Sequence, residues 1–141
     1  MPAPFILLID DDPEDRMLIK LALEESGLAD VDVTEIGSGE TLFAYLKRME
    51  NDASSALPGF IMLDISMPRV DGLTALKAIR STRRFDAVPV VMCSTSSQSK
   101  VVEQCLKLGA NEYRSKPSDF DSLIKQMCEL VETYGPRPER A

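Results

Sequence analysis

Runs of four or five apolar residues alternate along this chain with longer stretches in which apolar residues return every third or fourth position. That alternation predicts βα units and a parallel sheet, each buried strand reading as a continuous apolar run. The first strand is predicted over about residues 5 to 10. Asp12-Pro13 after it reads as a helix N-cap followed by proline at the first helical position. Met17, Leu18, Leu21 and Ala22 supply that helix's apolar stripe, and Gly27 stops it. Val31, Val33 and Ile36 predict a more exposed second strand, and Ser38 opens a helix carrying Leu42, Phe43, Leu46 and Met49. Residues 51–59 form a polar connection, longer than most. The apolar run at residues 60–64 predicts a central third strand. Leu73, Leu76, Ala78 and Ile79 give a third helix that runs into the basic segment 80–84. Residues 89–94 predict a fourth strand, about 97–108 a fourth helix and 111–115 a short fifth strand. Phe120, Leu123, Ile124, Met127, Val131 and Tyr134 lie at helical spacing and close the domain.

The 141 residues suit one domain, residues 1–134, with a loose Pro- and charge-rich tail at 135–141. No apolar run reaches the length of a membrane span, and Met1-Pro-Ala-Pro4 lacks the basic and apolar regions of a secretory signal, so a cytoplasmic protein is expected. Cys93, Cys105 and Cys128 are odd in number and set among apolar residues, and histidine is absent. Zinc, haem and a disulfide framework therefore have little support, and buried structural thiols are expected. Sixteen Lys and Arg against twenty-three Asp and Glu leave a net charge of −7, which opposes binding to nucleic acid or to an anionic membrane.

The chemistry sits at the strand ends. Asp10-Asp11-Asp12 follows the first strand and Asp64 ends the third, so carboxylates collect at the C-terminal edge of the sheet, where ligands of open α/β sheets bind. A carboxylate that attacks a phosphoryl group approaches an anionic centre, so such a site needs a divalent cation and fixed positive charge. Magnesium fits, because it takes one or two protein carboxylates plus phosphate oxygens and keeps several waters. Asp11 and Asp64 are the best direct ligands. Side chains alternate along a strand, so Asp10 and Asp11 can share one ion only if the strand is already ending in a loop there.

Asp10-Asp11, Leu63-Asp64-Ile65-Ser66-Met67-Pro68 with Asp71-Gly72, Ser94-Thr95, Tyr113 and Lys116-Pro117 occur in that order. This constellation resembles the CheY-like receiver domain of two-component response regulators over residues 5 to about 134. The resemblance implies a flavodoxin-like doubly wound (βα)5 fold with a five-stranded parallel sheet of order 2-1-3-4-5. It further implies Asp64 as phosphoacceptor, with Mg2+, or Mn2+ in its place, held by Asp10, Asp11, Asp64 and the backbone carbonyl of Ser66. Lys116 would balance the phosphoryl charge, Ser94 would donate its hydroxyl to the phosphoryl oxygen, and Tyr113 would change rotamer as the switch. A sensor histidine kinase or phosphotransfer protein would be the donor, meeting the first helix around Met17 to Leu21. Output to a downstream protein, and a candidate homodimer contact, would use the face of the fourth helix, fifth strand and fifth helix. The long connection before the third strand is similar to that of receivers paired with bacterial phytochrome kinases. A protein of this kind takes up and loses a phosphoryl group rather than turning over as a conventional enzyme, and no output domain is expected behind it.

Two other functions fit parts of the pattern. A small-molecule phosphatase or phosphotransferase also uses a strand-end aspartate and a lysine, but it usually carries a second acid two positions later, where Ser66 stands, and a cap for substrate. A docking module could keep the fold without accepting phosphate. Residue by residue, Asp12 is best read as a helix cap, Asp71-Gly72 as a turn and helix start, and Tyr113 equally as a core aromatic.

Overall fold

A computed structural model describes residues 5–65, 72–94 and 99–135. Five strands, β1 Phe5–Ile9, β2 Asp32–Ile36, β3 Phe60–Asp64, β4 Val90–Ser94 and β5 Glu112–Ser115, pair in parallel in the order β2-β1-β3-β4-β5. The helices between and after them are α1 Pro13–Glu25, α2 Gly39–Asn51, α3 Gly72–Arg80, α4 Ser99–Lys107 and α5 Phe120–Tyr134. This is the doubly wound fold expected from the sequence. The expected tail beyond Gly135 lies outside the described residues.

The alternation of side chains along the strands splits the core in two. Leu7, Ile9, Ile61, Leu63, Val90 and Met92 face α2, α3 and α4. Ile6, Leu8, Phe60, Met62, Val91 and Cys93 face α1 and α5. All five residues of β3 and of β4 are buried, which is why their sequences read as unbroken apolar runs. The edge strand β2 is mostly exposed, as its sparser apolar pattern predicts.

Caps set the helix starts. The side chains of Asp12, Ser38 and Asp119 accept from the backbone N–H of Glu14, Thr41 and Ser122, opening α1, α2 and α5. Arg80 and Arg84, read from the sequence only as a basic segment, are tethers. Arg80 donates to the carbonyls of Phe85 and Gly109 and to Asn111 Oδ1. Arg84 donates to the carbonyls of Met49, Asp52 and Ser55, each at 2.7 Å, and so pins the long 51–59 connection.

Three expectations need correction. The buried face of α1 is Ile19, Ala22 and Leu23, while Met17, Leu18 and Leu21 are exposed, because α5 and the sheet meet the helix on a face rotated from the predicted stripe. Phe120, at the very start of α5, is also exposed. Cys93 and Cys105 are buried, but Cys128 is only half-buried.

Candidate functional site

Strand β1 stops at Ile9, so Asp10 and Asp11 stand in the loop that leads into α1, as one shared ion would require. Asp10 N–H donates to the Ile36 carbonyl, and Asp10 Oδ1 accepts from the N–H of Asp12. Arg16 Nη1 donates to the Asp10 carbonyl at 2.5 Å, while its Nε pairs with Glu35. The loop is thus held from both sides. Asp64 is the last residue of β3 and pairs in register with Cys93 on β4. Ser94 ends β4 and is buried; its carbonyl accepts from Lys116 N–H at 2.8 Å, so the backbone that carries Lys116 is fixed to the same sheet edge.

These residues converge. One carboxylate oxygen from each of Asp10, Asp11 and Asp64 lies within 4.8 Å of the others. Asp10 and Asp64 are 2% and 5% exposed, an arrangement that like-charge repulsion and desolvation both oppose. Lys116 Nζ bridges them at 3.2 Å from Asp10 Oδ2 and 3.5 Å from Asp64 Oδ2. Burial pushes the Asp10 carboxyl above the usual range, despite the Asp12 N–H and the charge of Lys116. Burial also opposes the charge on Lys116, but the Asp15 hydrogen bond and the Asp10 and Asp64 carboxylates outweigh it, and its pKa rises above the ordinary lysine value. The donors are oxygens alone, a set that suits a hard divalent cation and no soft metal.

Beneath the carboxylates a small cavity of about 80 Å³ opens toward α1 and α5, floored by Leu8, Met62, Cys93 and Leu123. Burial, the largest cause, pushes the Cys93 thiol up to about 12, which leaves it protonated and unreactive. At the opposite side, Gly72 opens α3 with its N–H on the Ile65 carbonyl at 3.0 Å. A Cβ there would stand 2.5 Å from Ile65 Cα and 3.0 Å from the Asp64 carbonyl oxygen, so glycine permits the close approach of α3 to the end of β3.

Of the residues singled out from the sequence, Asp10, Asp11, Asp64 and Lys116 come together, and Ser94 ends the strand that anchors Lys116. Tyr113 is half-buried and packs against the core on the α2–α4 side of the sheet. Ser66, Met67, Pro68, Asp71 and Thr95 lie outside the described residues. Asp15 is the member that the motifs missed: its Oδ2 lies 2.8 Å from Lys116 Nζ. The available signal was its place three residues after the Asp12 cap, in the turn that faces the strand ends.

A parallel five-stranded sheet of this order, with clustered carboxylates and a lysine at its C-terminal edge, defines a CheY-like α/β signalling domain. Comparison with known proteins agrees: the response regulator receiver domain family matches residues 6–127, and the chain belongs to that family. It is 32% identical over 132 residues to the probable methanogenesis regulatory protein FilR2 of Methanothrix harundinacea, covering 93% of this chain and 84% of that one. Of two further curated relatives it spans 53% and 33% of the length. Among solved structures, the phosphorylated cyanobacterial phytochrome response regulator RcpA superposes with a TM-score of 0.81 at 28% identity, over 94% of both chains. The Mn2+-bound form of response regulator Rcp1 gives 0.79 at 25% identity, over 98% of this chain and 99% of that one. The chain is therefore a receiver domain of a response regulator. No described helix is long and apolar enough to cross a membrane.

Proposed function

We propose that this receiver accepts a phosphoryl group on Asp64 from a sensor histidine kinase or phosphotransfer protein and signals through a change in its surface. The observation that carries this reading is the Lys116 ammonium set between the Asp10 and Asp64 carboxylates at the sheet edge. An Asp64 carboxylate oxygen forms the new bond to phosphorus as the donor's bond to phosphorus breaks, and the donor leaves with that electron pair. Asp10, Asp11 and Asp64 would hold a divalent cation, Mg2+ by its preference for carboxylate and phosphate oxygens, whose bound state supplies charge neutralisation for the transfer. Lys116 supplies the fixed positive charge. Ser94, one residue from Cys93 and the Asp64 register, offers a hydroxyl to the phosphoryl oxygen.

Beside the site, Met17, Leu18 and Leu21 expose an apolar strip of α1, a surface suited to docking the donor helix of a kinase. Output is assigned to the face of α4, β5 and α5, with Tyr113 as the switch residue and a homodimer contact as a further use of that face. The two events communicate only if the phosphoryl group interacts differently with two arrangements of that surface.

The test is intact mass after incubation with Mg2+ and a small acyl phosphate, alongside Asp64→Asn. One added phosphoryl mass that needs both Mg2+ and Asp64 is expected. Uptake by Asp64→Asn, or none by the natural chain from either small donors or kinases, refutes the reading.

A further inference from the structure

Lys116 touches three carboxylates, and the shortest contact is to the one outside the acidic triad. Its Nζ lies 2.8 Å from Asp15 Oδ2, against 3.2 Å for Asp10 and 3.5 Å for Asp64. Asp15 is the third residue of α1, whose start is fixed by the Asp12 cap. An acidic side chain at that position commonly reaches back to the amide of the cap residue. Here it instead hydrogen-bonds an amine 101 residues away, on the loop after β5. The Asp15 side chain is 34% exposed, whereas those of Asp10 and Asp64 are 3% and 5% exposed, so this contact draws the ammonium toward the open rim of the site.

An ammonium has three donor hydrogens. Two of them serve Asp15 and Asp10 at hydrogen-bond distance, and the Asp64 oxygen stands at 3.5 Å, beyond a good hydrogen bond. Building on the phosphoryl-acceptance reading, we propose that Asp15 is a positioning residue that competes with the acceptor site for Lys116. It holds the ammonium against α1 in the unphosphorylated chain and must yield it before Lys116 can neutralise a phosphoryl group on Asp64. Its own negative charge at the rim also repels an anionic donor. Both effects act in one direction, so Asp15 restrains phosphoryl uptake. A role confined to the first turn of α1, where an acid favours the helix dipole, would lower stability on removal but would not accelerate the reaction.

Two measurements on Asp15→Asn, Asp15→Glu and the natural chain separate these. In the first, the metal-free proteins react with a water-soluble amine-acylating reagent, and peptide mass mapping follows Lys116 against the exposed Lys125. The expected result is several-fold faster labelling of Lys116 in Asp15→Asn, returning toward the natural rate in Asp15→Glu. In the second, uptake from a small acyl phosphate at saturating Mg2+ is expected to be roughly three- to tenfold faster in Asp15→Asn, the scale of removing one partly screened unit charge. Glutamate is again expected to restore the slower rate. Lys116 labelling that Asp15→Asn leaves unchanged would overturn the inference. So would equal or slower phosphoryl uptake by Asp15→Asn beside a natural chain that is phosphorylated normally, and that result would leave the acceptance reading standing. A natural chain that takes up no phosphoryl group, with Lys116 labelling raised in Asp15→Asn, would overturn both.

Discussion

Replacing Gly72 by alanine sets two opposing effects against each other, and the structure decides the sign. Alanine is a better helix residue than glycine by about 1 kcal/mol, so at an open helical position the change would stabilise. At Gly72 the added Cβ would meet Ile65 Cα at 2.5 Å and the Asp64 carbonyl oxygen at 3.0 Å. Carbon atoms sit comfortably at about 3.5–4.0 Å, so α3 and the end of β3 must separate by roughly 1 Å. Both atoms are backbone, so no side chain can rotate away, and the separation also stretches the Gly72 N–H bond to the Ile65 carbonyl. Gly72 is not among the glycines with positive φ, so space rather than backbone conformation is at issue. Overpacking of this kind costs about 1–3 kcal/mol, and two backbone contacts this short place Gly72→Ala in the upper half of that range, about 2–3 kcal/mol, so after the helix-propensity gain a net loss of about 1–2 kcal/mol remains. The assay is urea unfolding, where the midpoint of Gly72→Ala should fall with an unchanged slope. Because the displaced atoms belong to Asp64 and its neighbour, phosphoryl uptake should fall as well. A variant as stable as the natural chain, or more so, would refute the reasoning.

Two further perturbations test other parts of the fold. Arg84→Ala removes the donor to the Met49, Asp52 and Ser55 carbonyls and is expected to cost about 1–3 kcal/mol, toward the low end because water can replace it. Amide hydrogen exchange in residues 51–59 should rise with it; unchanged exchange there would show that the tether does not order the connection. Tyr134 is pushed up to about 12, by burial first and then by its hydrogen bond to Glu112. An unfolded tyrosine titrates near 10, so between about pH 10 and 12 the unfolded chain loses this proton first and stability falls as pH rises. Tyr134→Phe should lack that part of the decline, and unfolding profiles that stay parallel across the range would count against it.

What was legible in the sequence follows from how local each determinant is. Strands β3 and β4 are buried on both faces, so their apolar runs carry the signal whatever packs on them. The caps Asp12, Ser38 and Asp119 act within three residues. The carboxylates at the ends of β1 and β3 were legible because the end of a strand is itself a local feature and the sheet is parallel. The buried face of α1 was not. Its expected and observed apolar sets, Met17-Leu18-Leu21 and Ile19-Leu23 with Ala22 common to both, are each helically spaced, and only the position of α5 chooses between them. The tethers from Arg84 reach carbonyls 29 to 35 residues away, and Lys116 reaches Asp15 across 101 residues. The Arg84 contacts leave no trace in spacing, and for Asp15 the one local hint was its place three residues after the Asp12 cap.

The same distinction explains why the site stands out physically. A fold selected only for stability has no use for Asp10 and Asp64 nearly buried at one sheet edge with Asp11 within 4.8 Å. Replacing a buried ionic group with apolar residues of similar size is often neutral or stabilising, so the attraction of Lys116 does not by itself account for keeping the charges there. Nor is the cluster a by-product of helix capping, because Asp12 performs that task alone and from an exposed position. Three carboxylates, Asp10, Asp15 and Asp64, face the ammonium of Lys116, Asp11 stands beside Asp10 and Asp64, and the excess negative charge leaves room for added positive charge. On the proposed function a divalent cation would supply that charge, and an incoming phosphoryl group would then find the neutralised site its own anionic oxygens require. Natural chains break the rules of stable packing mainly where function demands it, and here the violation coincides with the one sheet edge at which parallel α/β domains bind their ligands.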